Sequence, residues 1–164
     1  IEELMRRYTF HFSTIMLKRD LIRFPRWFWE AYGGDRPMYL LAAENGQVGH
    51  IGGVTSCYRL HQGGIWSPES ITNKAHASMA LFNHLQEHFG PDYVPILNDA
   101  LVNILWSYMS DAIDSGETSA ARRIFWEAVR RRLPKRVREQ PAELAAVFLR
   151  THLPRTYSLL RRVS

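Results

Sequence analysis

The 164-residue sequence holds a single cysteine, Cys57, which excludes an internal disulfide framework and a thiolate zinc knuckle. It has no Asp-x-Asp anywhere, and no apolar run approaches the roughly 20 residues that span a bilayer. No secretory leader is legible, because the chain opens on the charged stretch IEELMRR. It does not open on methionine, so a piece of something longer is expected. Reducing surroundings follow from the cysteine usage. The expected location is the cytoplasm, with peripheral contact at the inner face of a membrane.

What is present is globular. The apolar share is 46% and the aromatic share 12%, enough to build a core in a chain of this length. The net charge of +5 is unevenly placed. Residues 1–121 hold 9 Lys+Arg against 13 Asp+Glu, a balance of −4, and residues 122–164 hold 12 against 3, a balance of +9. Basic character is a property of the tail. Such a tail suits nucleic acid, an anionic membrane surface or plain solvent.

Local patterning predicts strand, helix, strand and then a helical tail. YTFHFSTIMLKRD, residues 8–20, has the β-branched and aromatic content of a strand. DRPMYLLAAENG follows helix grammar, with Asp35 at the N-cap, Pro37 in the first turn, Leu41 and Ala42 on one face and Gly46 past the end. QVGHIGGVTSCYRLH, residues 47–61, reads as a second strand interrupted by glycines. After Ser67-Pro68 a helix is expected through Ile71, Ala75, Phe82, Leu85 and Phe89, stopped by Gly90-Pro91. Three more helices are expected, near residues 94–116, 118–134 and 141–154.

Four groups of residues carry possible chemistry. Asp35 is a helix cap on the plainer reading. A carboxylate held ionised at a helix N-terminus is also a sound mount for a general base. His61, with Arg59, Gly63, Gly64 and Trp66, reads either as a simple loop or as a place where a phosphate or metal nears the backbone. His84 to His88 spells H-x-x-E-H, the pattern of inverted zinc peptidases. Both histidines lie off the apolar stripe in a last helical turn, with no third ligand placed, so this match reads as coincidence. The arginine-rich run RRIFWEAVRRRLPKRVR fits a solvated face, a nucleic-acid surface or a helix beside a membrane.

Three of these stretches, taken in order, resemble the second half of family 2 glycosyltransferases, the inverting enzymes with the GT-A fold. They are FSTIMLKRDLI, GGDRPMYLLAAENG and CYRLHQGGIWSPES. The resemblance covers roughly residues 8–90 and implies an α/β fragment. That fragment is the acceptor-side half of a GT-A mixed sheet at residues 1–90, followed by a mainly helical, basic extension at 91–164. It implies that Asp35 is the general base in transfer from a nucleotide-sugar donor to a glycan or lipid-linked acceptor, in polysaccharide or cell-envelope synthesis. His61 would approach the donor diphosphate and a divalent metal, Mn²⁺ or Mg²⁺, as an auxiliary contact only. Arg59, Gly63 and Gly64 would stand in the same vicinity, and Trp27, Trp29 and Trp66 would offer flat surfaces to an acceptor sugar. The family's Asp-Trp pair is Asp35-Arg36 here. Its Asp-x-Asp half is missing, so the chain alone is not expected to be a competent enzyme. On this reading the tail touches an anionic membrane and nucleic acid is not a partner. The alternative is a non-enzymatic basic helical module that binds nucleic acid or an anionic membrane surface. A remnant without activity is the third possibility.

Overall fold

A computed structural model describes residues 1–7, 11–31, 33–57, 69–131 and 141–153. Six α-helices are found among them: α1 Glu2–Arg6, α2 Asp35–Glu44, α3 Ile71–Phe89, α4 Val94–Asp114, α5 Thr118–Arg130 and α6 Pro141–His152. Short 3-10 turns occupy Phe12–Thr14, Arg19–Leu21, Arg26–Trp29 and Pro91–Tyr93.

No strand occurs among the described residues, which overturns the expected α/β fragment and its GT-A mixed sheet. The cause differs between the two expected strands. Around residues 11–22 the backbone is extended at His11, Ile15, Lys18 and Ile22, as the composition predicts. Two 3-10 turns interrupt that run, and Met16 stands 94% exposed between half-buried Ile15 and Leu17. An extended segment becomes a strand only when a neighbour accepts its backbone bonds. In residues 47–57 the pattern itself is at fault. Val48, Ile51 and Val54 recur every third residue, whereas a strand buries every second one. All three are exposed, Val54 to 93%. The two segments are linked by a side-chain bond between Ser13 Oγ and Ser56 Oγ at 2.9 Å.

The helices follow their sequence grammar closely. Ser70 caps α3 by accepting the Asn73 N–H at 3.1 Å, and Gly90 ends it with φ of +85°. Ala75, Ser78, Phe82 and Leu85 give α3 its buried stripe at helical spacing. Helix α4 buries residues around most of its circumference, as a central helix does.

The chain divides into two compact units. The first comprises residues 1–69 and 77–100, with a core that includes Met5, Phe28, Leu40, Leu41, Phe82 and Leu85. The Arg19–Leu21 turn docks on α2 there, where Asn45 Nδ2 donates to the Leu21 carbonyl at 3.2 Å. The close approach explains Gly46, since a Cβ at that position would lie 2.7 Å from Leu21 Cδ1. The second unit comprises residues 70–76 and 101–164. Its core draws on Leu101, Leu105 and Met109 of α4 and on Ala121, Ile124 and Phe125 of α5. Helix α6 is tied in by Arg150, which pairs with Asp114 at 2.7 Å, and by Arg122, whose Nε donates to the Thr151 carbonyl at 2.8 Å.

Candidate functional site

The site begins at the turn before α2. Gly33 has φ of +85°, the left-handed region that glycine enters freely, and among the described residues a Cβ there would meet nothing within 4 Å. The backbone at this point is exposed. Gly34 follows with helical angles and serves as the N-cap, so α2 starts with Asp35 as its first helical residue. Asp35 was expected at the cap itself. Its role shifts by one position because Gly34 already turns the chain, and its carbonyl accepts the Met38 N–H at 3.2 Å.

The Asp35 carboxylate is half-buried, and its Oδ1 accepts the Arg36 N–H at 2.9 Å. That bond orients the carboxylate at the N-terminal end of α2. The next residue turns inward. Arg36 is only 7% exposed, and its guanidinium lies 4.9 Å above the centre of the Phe82 ring. Nη2 reaches the Met5 carbonyl at 3.5 Å, while Nε is buried with no hydrogen-bond partner among the described residues. One turn on, burial pushes the Tyr39 phenol above its ordinary pKa. The charge of the nearby Arg36 guanidinium opposes that rise, and the charge of Asp35 adds slightly to it.

The aromatic turn Arg26–Trp29 comes up against this entrance. Phe28 is buried, and its Cζ lies 3.5 Å from where a Gly34 Cβ would stand. Trp27 and Trp29 flank it in sequence but differ in availability. Trp27 stacks on His84 at 5.5 Å and 5° and meets His88 edge-on at 5.8 Å, so its ring is engaged inside the protein. Trp29 is 74% exposed, braced by Phe24 and Phe28, and offers a flat apolar face of the kind that stacks on sugar rings.

His61, Arg59, Gly63, Gly64 and Trp66 lie outside the described residues, so the loop expected to meet a diphosphate has no structural account. The H-x-x-E-H histidines, by contrast, are placed. His84 faces Trp27, and His88 Nε2 lies 3.1 Å from Glu44 Oε2. No group of three metal-ligating side chains gathers among the described residues. The described residues therefore do not by themselves fit the divalent metal implied by the resemblance.

Two features escaped the sequence reading. Arg36, noted in the sequence only as standing where the family has a tryptophan, is an interior side chain; its place three residues before Tyr39 and four before Leu40 was the available signal. The second is an aromatic cluster on α5 and α6. There Trp126 Nε1–H donates to His152 Nε2 at 3.1 Å, and His152 stacks on Phe148 at 4.4 Å. Nothing in the local spacing links positions 126 and 152.

Among the described residues no helix is long and apolar enough to cross a membrane. No family model matches the sequence, and no curated protein or solved structure matches it either, so the glycosyltransferase resemblance rests on the order of motifs in this chain.

Proposed function

We propose that this chain is the acceptor-side portion of an inverting sugar transferase, with Asp35 as its general base. The observation that carries the reading is the mount of Asp35. A half-buried carboxylate stands in the first turn of α2, oriented by the Arg36 N–H, with exposed Gly33 two residues before it. A base that must take a proton from a hydroxyl needs this combination of charge, fixed aim and access. The motif order Gly-Asp, then Tyr-Arg-x-His, then Gly-Gly supplies the chemical class.

In the proposed reaction an acceptor hydroxyl lies against Asp35 while its sugar ring rests on Trp29. Asp35 accepts the hydroxyl proton as the oxygen forms its bond to the anomeric carbon. The bond from that carbon to the nucleoside diphosphate breaks on the opposite face, the diphosphate leaves with the electron pair, and configuration inverts. The donor site, and the metal that family members hold with Asp-x-Asp, belong to residues other than those described. The enzyme works at the cytoplasmic face of a membrane on a glycan or lipid-linked acceptor. The mixed sheet of the GT-A fold forms no part of the proposal.

The test is the anomeric configuration of the product. The complete protein is supplied with nucleotide sugars and membrane-derived glycans, and the new linkage is read by NMR. A linkage inverted relative to the donor is expected. Retention, or no transfer from any nucleotide sugar, overturns the reading.

A further inference from the structure

We infer that Arg26 makes the Trp29 surface selective for an acceptor glycan that bears an anionic group, a carboxylate or a phosphate ester. The inference rests on the transferase reading for one point, that the ring lying on Trp29 is a sugar. What it adds is the chemical class of the acceptor, and that comes from the turn itself.

Residues Arg26–Trp29 form one 3-10 turn, with Pro25 at its N-cap accepting the Phe28 N–H at 3.1 Å. Such a turn repeats every three residues, so side chains at i and i+3 stand in line, separated by a rise of about 6 Å. The two inner positions are anchored. Trp27 stacks on His84 of α3, and buried Phe28 packs on Phe24 and comes close to Gly34. The two outer positions, Arg26 and Trp29, share the remaining edge, and both are exposed. Phe24 and Phe28 brace the Trp29 ring at 5.4 and 5.2 Å. A fixed turn thus presents one indole face and one guanidinium side by side.

Among the described residues no ion pair or hydrogen bond engages the Arg26 side chain. The next acidic residue, Glu30, is exposed too, but by the three-residue repeat it falls on the Trp27 side of the turn. Over the wider segment the charge is mixed, with Lys18, Arg19, Arg23 and Arg26 interspersed with Asp20 and Glu30, all exposed. A nucleic-acid strand calls for a continuous positive groove with a run of stacking rings, which this segment does not offer. A neutral glycan would use Trp29 and leave Arg26 without a role. A guanidinium holds a carboxylate or phosphate through two parallel hydrogen bonds, and an acidic sugar carries such a group next to an apolar ring face. One ring platform with one cation beside it therefore matches an anionic sugar.

The experiment titrates the whole chain with four soluble sugars and follows the Trp29 indole N–H by NMR. Trigalacturonate supplies a carboxylate and mannose 6-phosphate a phosphate ester, whereas the methyl ester of trigalacturonate and maltotriose are neutral. At least one anionic sugar should bind about tenfold more tightly than the neutral pair, the size of a charge-assisted hydrogen bond. Which of the two it is names the anionic group. Arg26→Gln should erase that preference and keep the residual affinity for maltotriose, and Lys18→Gln, a cation outside the turn, should keep the preference. Trp29→Ala should weaken every sugar about fivefold or more. Equal binding of acid and neutral sugars, a preference that survives Arg26→Gln, binding indifferent to Trp29→Ala, or no binding of any sugar overturns the inference. Tighter, Trp29-dependent binding of oligo(dT) than of any sugar does so as well. Acid-selective binding with no transfer from any nucleotide sugar would leave this surface standing and the transferase reading fallen. Inverting transfer to neutral acceptors, undiminished in Arg26→Gln, would do the reverse.

Discussion

Arg36 offers the most quantitative test of how the first unit holds together. Its charge is buried, yet its bonds are poor, because the Met5 carbonyl sits at the 3.5 Å limit and Nε has no partner among the described residues. What favours the residue is its stem, packed inside, and its cation over Phe82, worth about 1–2 kcal/mol when desolvated. Opposing these is the loss of hydration of the guanidinium, which costs several kcal/mol even after relaxation. Arg36→Ala deletes the γ and δ methylenes, about 1.6 kcal/mol of burial that the γ methylene and thioether of Met would replace, along with the ring contact. The expected loss is about 2–3 kcal/mol, a large part of a typical domain's stability. Arg36→Met keeps the stem and removes the charge. It should lie within about 1 kcal/mol of the parent or exceed it, as buried charges replaced by apolar groups often do. Urea unfolding of the parent and both variants reads the difference, and a cycle with Phe82→Leu isolates the ring contact at about 1–2 kcal/mol. If Met costs as much as Ala, the charge itself is holding the site, and the reasoning is refuted.

Further outcomes follow from other groups. The raised pKa of buried Tyr39 means that the folded state favours the protonated phenol, so its contribution is intact below the ordinary phenol value of 10.0. Above it the unfolded chain ionises first and stability falls until the folded phenol titrates, which thermal melts at alkaline pH should show; Tyr39→Phe should flatten that decline. Gly33→Ala forces an alanine into φ of +85° and should cost about 1–2 kcal/mol without any steric clash, measured by urea unfolding. His152→Phe keeps the stack on Phe148 but removes the acceptor of the Trp126 indole, with an expected cost of about 1 kcal/mol and a shifted indole N–H resonance.

Helices α2 to α6 were legible from the spacing of their apolar residues and the turn residues near their ends, whereas α1 was not among the expected helices. Gly90 in the left-handed region is a local instruction that holds wherever the segment finds itself, whereas Gly46 answers to Leu21 and the cap of α3 is Ser70 and not the expected Ser67. The expected strands were not legible in this way, because a strand is a statement about a partner. His11 to Ile22 has the extended backbone its composition favours at several positions, and still forms no ladder. Residues 47–57 looked strand-like in composition, but Val48, Ile51 and Val54 break the two-residue period that a half-buried strand requires. At the candidate site, Asp35 and its glycines could be found from the text alone. The separation of Trp27 from Trp29 could not, since it depends on His84 and His88, more than fifty residues away in the chain. Arg36 was hidden for a similar reason. Its environment is made by Met5 and Phe82, which no local pattern connects to it.

The central claim is that Asp35 takes the acceptor proton, and turnover of the Asp35→Asn enzyme tests it most directly. The complete protein and its variant would be compared for sugar transfer and, by calorimetry, for donor binding. Loss of about 10²–10⁴ in kcat with donor affinity unchanged is predicted, the usual range for a general base. Transfer at the parent rate would contradict the assignment outright.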